Sequence, residues 1–521
     1  MKKRLLHDKI AGNAAFPVKE ANVLAVFTKI KRRFYQDSLK LMRVSAEIKD
    51  LPDIRQAFAF MATEINKKTR MRLELMDDEA RAAGGDDLVL LVECDNELAG
   101  RSALDEFEKR VTASVPAAAP REDGEYGEAA PATFEQAKTR LDANLAVISV
   151  PGTYAAVQAM AALSQGMNVM LFSDNVSVED EIALKDYAAS RDLLVMGPDC
   201  GTAIIGGAPL CFANAVRPGK IGVIGASGTG TQEFTTLLDS AGCGITHAIG
   251  TGGRDLSEEV AGRAALTALK LLAVDANTEI IAIVSKPPSA EVAEKVVAAA
   301  RAAGKPAVLA FLGAAAAKGA DNIYIAPTIE EAAAKAVALC DGGNPDEAKV
   351  IHKRSSIEHI LTETTKLSPE QKRVKGLYTG GTLASEAKYI LKGLDADIID
   401  LGDDEYTRGA LHPMIDPSSR GGHIMDAFEN REVAAILCDV VLGYGSHSDP
   451  AGELVRAIQA AREKTGSHKI VIASVTGTEN DPQVKSRQVK KLEEARVYVL
   501  PSNQYAAEAA ATIVKAARGV K

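Results

Sequence analysis

Short apolar segments alternate with amphipathic segments along most of the chain. From residue 145 onward, apolar runs are followed by stretches of helical periodicity, a pattern typical of parallel strands joined by helices. Strands are predicted in three series: 145–150, 167–172 and 193–196; then 221–224, 245–249, 279–285 and 306–311; then 376–378, 397–401, 434–441, 470–475 and 497–500. The pattern therefore predicts an α/β fold, in which ligands bind beyond the carboxyl ends of the strands.

Helices are predicted between these strands, and several have recognisable end signals. Ser177 and Asp449 are predicted N-caps, Pro450 follows at a first helical position, and Gly242 and Gly304 stand where left-handed C-terminal residues belong. The predicted helices are 155–164, 177–192, 231–240, 256–273, 289–303, 384–391, 450–463, 483–495 and 505–517.

The chain before residue 136 has a different pattern. Strands at 23–27, 57–63 and 88–93 and helices at 35–48 and 101–111 predict a small α+β module over 1–112, followed by a Pro-, Ala- and acid-rich linker at 113–135. The three later series predict domains at 136–216, 217–340 and 375–521, the last two separated by a polar linker at 341–374.

Composition excludes several classes of function. The 521 residues carry a net charge of −9 without a long basic stretch, which argues against nucleic acid as a partner. Six scattered cysteines form no CxxC pair, so neither a metal site nor a redox dithiol is predicted, and a cytoplasmic location is expected. No apolar run approaches the length of a membrane helix, so no membrane partner is expected.

The strongest local motif is a glycine-rich turn between a strand and a helix. Ser227, Gly228 and Thr229 follow the apolar run 221–224 and open a helix, so backbone N–H groups can approach an anion there. The turn has no GK[ST] and is not a Walker A loop. Two interpretations of the turn are equally favoured: it binds a phosphate or carboxylate, or it is a tight turn without a ligand.

A second turn of this kind contains Gly443, Gly445, Ser446 and His447, just before Asp449. His447 is a candidate general acid, with a solvent-exposed loop histidine as the alternative. If two sheets face each other, the helices that follow the two turns converge on one anion and form a phosphoryl site. Ser227 and His447 are then the candidate catalytic residues.

Four further residues are candidates for orienting a substrate. Arg254 suits a carboxylate, with a surface role as the alternative, and Asp403, His412 and Asp416 lie in polar loops, with loop stabilisation as the alternative. Lys286 precedes two prolines, and a functional and a structural role are predicted equally for it.

Two groups of motifs resemble known proteins. The segments 197–201, 218–229, 399–403 and 434–445 resemble the α and β subunits of succinyl-CoA synthetase, in that order. The segments 172–181, 196–202, 250–257, 285–288, 378–382 and 412–417 resemble the FdrA family of acyl-CoA-synthetase-like proteins more closely. The resemblance implies a Rossmann-like CoA-binding-type domain at 136–216 and two flavodoxin-like ligase-type domains at 217–340 and 375–521, besides the α+β module.

The chain also departs from succinyl-CoA synthetase. No histidine follows the strand at 306–311, where that enzyme is phosphorylated, and neither its ATP-grasp domain nor its glycine-rich CoA turn is legible. No cofactor is therefore certain: phosphate or an acyl phosphate is the expected ligand, and CoA and ATP have no located site.

The resemblance implies an enzyme that transfers an acyl group linked to an acyl phosphate. The FdrA family is linked to a carbamoyltransferase of purine-ureide (allantoin) breakdown, which implies carbamoyl phosphate as a ligand and partner subunits or a homo-oligomer as the working form. Two alternatives remain open: a nucleotide-dependent acyl-CoA ligase, and a non-catalytic regulatory subunit.

Overall fold

The computed structural model describes residues 25–34, 36, 38–63, 66–67, 76–94, 96–112, 130–314, 317–352, 354–407 and 411–519. The chain forms two compact units, Met1–Pro116 and Ala117–Lys521. No helix among these residues has the length and apolar character needed to cross a bilayer. The domain boundaries given above stay predictions.

The first unit is a small sheet covered by helices, as the sequence predicts. Its three strands are antiparallel in the order β1-β3-β2, and the central strand β3 is almost entirely buried. Leu41 of α1 and Phe107 of α3 pack on this sheet. The elements are β1 Ala25–Lys31, α1 Ser38–Lys49, β2 Ile54–Met61, α2 Asp78–Ala82, β3 Leu88–Cys94 and α3 Glu97–Thr112.

The second unit contains three sheets. Its strands are β4 Leu145–Ile148, β5 Asn168–Leu171, β6 Val195–Met196, β7 Thr202–Ile205, β8 Ala208–Cys211, β9 Pro218–Ala226, β10 Ile245–Gly250, β11 Ile280–Ser285, β12 Ala307–Phe311, β13 Ala317–Ala320, β14 Ile323–Ala326, β15 Arg373–Tyr378, β16 Ala396–Asp400, β17 Val433–Val441, β18 Ile470–Thr476 and β19 Tyr498–Leu500.

Helices connect these strands. They are α4 Phe134–Leu141, α5 Gly152–Ser164, α6 Val178–Ala189, α7 Gly228–Ser240, α8 Arg263–Val274, α9 Ala290–Ala302, α10 Ile329–Cys340, α11 Glu358–Leu361, α12 Gly381–Ile390, α13 Asp404–Thr407, α14 Arg420–Glu429, α15 Pro450–Thr465, α16 Lys485–Glu494 and α17 Asn503–Ala517, with 3₁₀ turns at Thr362–Lys366 and Pro417–Ser419.

The two larger sheets share one topology. In the eight-stranded sheet the parallel strands lie in the order β10-β9-β11-β12-β14, and the five-stranded sheet has the order β16-β15-β17-β18-β19. Numbered along each series, both orders read 2-1-3-4-5, which is the flavodoxin-like arrangement. The order reverses beside the first strand of each series, β9 and β15. The helices that follow these two strands, α7 and α12, therefore begin at the switch points.

The α/β fold class is confirmed, and most predicted helix ends are correct. Ser177 accepts a hydrogen bond from the Asp180 amide, and Gly242 and Gly304 have positive φ angles of 83° and 70°. The predicted helix at 256–273 is wrong at its start. Residues 251–262 form turns, because the Asp255 carboxylate accepts from the amides of Ala264 and Ala265 and fixes the first turn of α8 at Arg263.

Two hairpins were missed by the sequence analysis. β7 and β8 pair across Gly206–Gly207, and β13 and β14 pair across Asp321–Asn322. All four turn residues have positive φ, between 53° and 85°, as two-residue hairpin turns require. The first hairpin joins the eight-stranded sheet through an antiparallel pairing of β7 with β10. It therefore carries residues upstream of the predicted boundary at 216 into that sheet.

A buried ion cluster joins α6, which lies between β5 and β6 in sequence, to residues 251–255, which follow β10 of the eight-stranded sheet. Lys185 Nζ on α6 lies 2.7 Å from Glu181 Oε1, 2.8 Å from Asp255 Oδ1 and 3.0 Å from the Thr251 carbonyl oxygen. All three charged side chains are no more than 1% exposed. Removing the cation would leave the buried Asp255 without an ion-pair partner and Glu181 with Arg254 alone.

We expect Lys185→Met to lower the free energy of unfolding by about 3–5 kcal/mol, because breaking a buried ion pair is costly. The matched control is Lys220→Met, whose partner Glu279 lies 2.9 Å away with both side chains more than half exposed. That change should cost at most about 1 kcal/mol. Urea unfolding monitored by circular dichroism measures both, and equal effects of the two substitutions would contradict the expectation.

Candidate functional site

The first wall of the site is the start of α7. Ser227 is its N-cap, with an extended backbone, and its Oγ accepts a hydrogen bond from the Gly230 amide at 3.0 Å. Thr231 Oγ1 in turn donates to the Ser227 carbonyl oxygen at 2.5 Å. The remaining first-turn amides of α7 have no partner inside the helix, which is the usual condition for an anion-binding helix end.

The second wall is the start of α12. Gly380 is its N-cap and supplies no side-chain cap. The Asp439 carboxylate, fully buried at the end of β17, accepts instead from the amides of Thr379 and Gly380, each at 2.8 Å, and from Thr379 Oγ1 at 3.0 Å. Arg420 pairs with Asp439 at 2.8 Å and also donates to its carbonyl oxygen. This buried pair fixes the turn that leads into α12.

These two helix starts meet. Ser227 Oγ and Thr382 Oγ1 share a short hydrogen bond across the domains. A Cβ built on Gly380 would lie 2.8 Å from Thr229 Oγ1, and one on Gly230 would lie 2.8 Å from Thr382 Cγ2. Glycine is therefore required at both positions for the helices to approach. We call this place, Ser227–Gly230 and Thr379–Thr382, the helix junction.

His412 lies beside the junction. A Cβ on Gly402 would be 2.7 Å from His412 Nε2 and 2.8 Å from the Thr379 carbonyl oxygen, so these groups are close neighbours. His412 Nδ1 accepts from the Met414 amide at 3.2 Å, which leaves the proton of the neutral ring on Nε2. Burial lowers the pKa of His412 to about 4, so the ring is a neutral hydrogen-bond donor at pH 7.

Two charged groups stand on the same side. Burial raises the pKa of Asp400, whereas the Gly402 amide and the positive charge of Lys286 act in the opposite direction. Lys286 is exposed and follows β11, and Asp400 ends β16, so both lie at carboxyl ends of strands. The phenyl ring of Phe212, after β8, lies 6.0 Å from the His412 ring.

The predicted convergence of the 227–230 turn with the 443–447 turn stays a prediction. Gln232 of α7 donates to the carbonyl oxygen of Leu442, just before the second turn, at 3.1 Å, whereas the helix start that is hydrogen-bonded to Ser227 is that of α12. Gly443 and Gly445 have φ angles of 118° and 78°, and a Cβ on Gly443 would lie 2.5 Å from the Ala213 carbonyl oxygen. Close contact with the chain after β8 therefore accounts for the glycines at positions 443 and 445.

His447 and Ser446 belong to that second turn. The His447 amide donates to the Met414 carbonyl oxygen at 2.8 Å, and its Nδ1 accepts from the Asp449 amide at 3.0 Å. Ser446 Oγ is buried without a hydrogen-bond partner. Asp449 caps α15, as predicted. Catalytic roles for His447 and phosphate binding by Gly443, Gly445 and Ser446 stay predictions. His412 is the histidine that the structure shows close to Thr379 of the junction.

The other predicted orienting residues make structural contacts. Arg254 donates to the Val176 carbonyl oxygen at 2.8 Å and pairs with Glu181 at 3.0 Å. Asp403 accepts from the Glu405 amide at 3.1 Å, and Asp416 caps the turn Pro417–Ser419 by accepting from the Ser418 amide. Their roles toward a substrate stay predictions.

Sequence reasoning gave no role to Thr379, Thr382, Asp439 and Arg420. The motif 378–382 carries a family resemblance, and the signal for the site is its position after the first strand of the third series. The switch-point rule, applied to both series, selects the helices after β9 and β15.

Comparison with known proteins identifies the family. The uncharacterized protein YahF of Escherichia coli (strain K12) is 40% identical over 502 residues, covering 91% of this chain and 96% of that protein. The chain belongs to the FdrA family. Family models described as CoA-ligase, CoA binding domain, and AllF, heavy metal-associated domain, match residues 377–513, 216–313 and 24–128 of this FdrA-family chain. It is thus acyl-CoA-synthetase-like.

Two further proteins are similar to this chain at lower sequence identity. The α subunit of an ADP-forming succinate–CoA ligase from Staphylococcus epidermidis is 28% identical over 183 residues, 34% of this chain and 59% of that subunit. The solved dinucleotide forming acetyl-coenzyme A synthetase 1 of Ca. Korarchaeum cryptofilum is 17% identical, with a TM-score of 0.30, over 77% of this chain and 89% of that one. The CoA-binding match covers the segment that we assigned to a ligase-type domain.

The N-terminal unit does not fit a heavy-metal centre, despite its family description. Soft metal ions are held by several thiolate or imidazole ligands. Residues 24–128 contain one cysteine, Cys94, and no histidine. Cys94 is buried in β3, and its Sγ lies 3.1 Å from the Asn96 carbonyl oxygen. In the part of the chain that the structure describes, no cluster of three metal-ligating side chains occurs.

The lowered pKa of His412 makes a prediction about stability and pH. A histidine whose pKa is about 4 when folded and near 6.5 when unfolded favours the folded state fully above pH 6.5, and this contribution is lost as the pH falls toward 4. We expect the stability difference between wild type and His412→Asn to be larger at pH 7 than at pH 4.5, by up to about 3 kcal/mol. Urea unfolding at both pH values measures it, and a pH-independent difference would contradict the lowered pKa of His412.

Proposed function

We propose that the helix junction binds the phosphoryl group of an acyl phosphate and that the chain acts in acyl transfer. The observation that supports this is the meeting of two helix N-termini at Ser227 and Thr382. Each helix end favours an anion by about 0.3–1 kcal/mol near a surface and by up to about 2 kcal/mol when partly buried. Two such ends at one place suit a phosphoryl group better than either alone.

The side chains around the junction have suitable roles in such a reaction. Lys286 would pair with a phosphate oxygen. His412 Nε2–H would donate a hydrogen bond to the oxygen that bridges the acyl and phosphoryl groups, and neutral imidazole donors need no ionisation to do so. The nucleophile would attack the acyl carbonyl carbon, and phosphate would leave as the C–O bond breaks. The junction would then hold the phosphate released.

Carbamoyl phosphate is the acyl phosphate that we propose. It is supported by the resemblance to the FdrA family, which is linked to carbamoyl transfer, and it places the chain in an assembly with partner subunits. The absence of a histidine from residues 312–319 of the sequence fits a reaction without a phosphohistidine intermediate. The acyl acceptor would then come from another molecule bound near Lys286 and Phe212.

Acyl-CoA ligation is the second candidate. It is favoured by the CoA-binding and CoA-ligase family matches at 216–313 and 377–513. In this case the same junction would hold phosphate while CoA attacks the acyl group. CoA and a nucleotide would then both be ligands of the chain or of its assembly.

Ligand-dependent thermal shifts test the two candidates. A ligand that binds the folded state at a hundredfold excess over its dissociation constant adds about 2.7 kcal/mol of stability. We expect shifts with phosphate and carbamoyl phosphate and none with CoA or ATP. Gly380→Ala should abolish them, because its Cβ would collide with Thr229 across the junction.

The matched control is Gly421→Ala, within α14. A Cβ there meets nothing within 4 Å, so binding should be retained and the helix slightly stabilised. A clear shift with CoA or ATP in the wild type would support the ligase. Failure of all four ligands to shift the wild type would overturn the acyl-phosphate proposal for the isolated chain. It would favour a regulatory subunit.

A further inference from the structure

Both helices of the junction carry a glutamate that is buried in the protein interior. Glu233 lies on α7, six positions after Ser227, and is 3% exposed; Glu386 lies on α12 and is 1% exposed. Burial raises the pKa of both, to about 7 for Glu386. A buried carboxylate is costly unless hydrogen bonds satisfy it, so such residues need a structural or functional reason.

One residue of a third helix reaches both glutamates. Asn503, the first residue of α17, has no exposed surface. Its amide N–H donates to Glu233 Oε1 at 3.0 Å, and its Nδ2 donates to Glu386 Oε2 at 2.8 Å and to the Leu383 carbonyl oxygen at 3.0 Å. The start of α17 is therefore hydrogen-bonded to α7 and to α12 at the same time.

The remaining carboxylate oxygens are also occupied, and by other elements. Thr476 Oγ1, at the end of β18, donates to Glu233 Oε2 at 2.6 Å, and the Ile329 amide, at the start of α10, donates to Glu386 Oε1 at 2.7 Å. Ser502 holds Asn503 in place, since its Oγ accepts from the Tyr505 amide at 3.1 Å. The two glutamates thus connect α7 to β18 and α12 to α10, besides connecting both helices to α17.

We propose that Asn503 is a positioning residue, which clamps α7 and α12 through Glu233 and Glu386 so that their N-termini meet at the junction. A role of this clamp in ligand binding rests on the proposed function. The positioning of the two helices by the clamp does not depend on any ligand. Across the junction the helices share a hydrogen bond between two small hydroxyl groups, Ser227 and Thr382. The Asn503 network adds three buried hydrogen bonds, two of them to glutamate side chains, and leaving any of these buried polar groups without its partner would be costly.

Amide hydrogen exchange of the full chain, without any ligand, tests the clamp. The variant is Asn503→Leu, which keeps the volume and the backbone N–H to Glu233 but removes both side-chain bonds to α12. We expect exchange in peptides from 228–238 and 381–390 to quicken roughly tenfold to a hundredfold, while peptides from β17 and β18 change little. The matched control is Thr512→Ala on the same helix, whose exposed hydroxyl bonds only to the Glu508 carbonyl oxygen.

A milder variant covers the case in which Asn503→Leu fails to fold. In Glu386→Gln the side-chain oxygen still accepts from the Ile329 amide, which places the new NH₂ group opposite Nδ2 of Asn503. Two donors cannot bond to each other, so the Asn503 side-chain amide must turn. Its Nδ2 then releases the Leu383 carbonyl oxygen. We expect faster exchange in the same peptides, to a smaller extent. Uniformly faster exchange across the unit, or a change confined to α17, would overturn the clamp.

Phosphate titration of the same variants connects the clamp with binding. If wild type binds phosphate, Asn503→Leu should weaken the affinity roughly tenfold or more, because the two helix ends are no longer preorganised for binding. Thr512→Ala should retain the affinity. If wild type does not bind phosphate, the proposed function fails, and the exchange result still decides the clamp. Unchanged phosphate affinity in Asn503→Leu would overturn the positioning role even where exchange has quickened.

Discussion

Two helix N-termini that meet have partial charges of the same sign, and the fold must offset their repulsion. Two half-charges about 4 Å apart repel by about 1 kcal/mol at an effective dielectric constant of 20. Asp439, buried behind the start of α12, offsets part of this cost by accepting hydrogen bonds from the amides of Thr379 and Gly380. Under the proposed function, the remaining positive potential in front of the helices would attract the phosphoryl group.

The topology explains why these two helices are partners. Each large sheet has the order 2-1-3-4-5, and each switch point lies beside the first strand, so α7 and α12 occupy equivalent places in two similar domains. The chain between them, including α10, packs against α7 as well. The junction is thus a pseudo-symmetric meeting of two equivalent helix ends. Phe212, just after the β7–β8 hairpin, lies beside His412.

Much of the fold could be predicted from the sequence, because strand series and helix caps are local signals. Ser177, Asp449 and Gly242 identify helix ends without knowledge of the rest of the chain. The junction could not be found in this way, since glycine-rich turns look alike whether they serve a ligand or a packing contact. Gly443 and Gly445 allow the approach of the chain after β8, whereas Gly380 allows the approach of Thr229. That distinction depends on which elements meet across domains, and residues far apart in sequence decide it.

The same reasoning separates the two histidines. His447 follows glycines and precedes an N-cap, which are local signals of a ligand turn, but its ring nitrogen Nδ1 accepts from the Asp449 amide within its own turn. His412 has no glycine-rich surroundings in sequence, and its position beside Gly402 and Thr379 depends on a contact between separate segments of the chain. Burial then removes its charge at neutral pH. A neutral donor next to two helix ends adds no cation that would need its own counter-charge. Its Nε2–H can donate a hydrogen bond to an anion without giving up the proton.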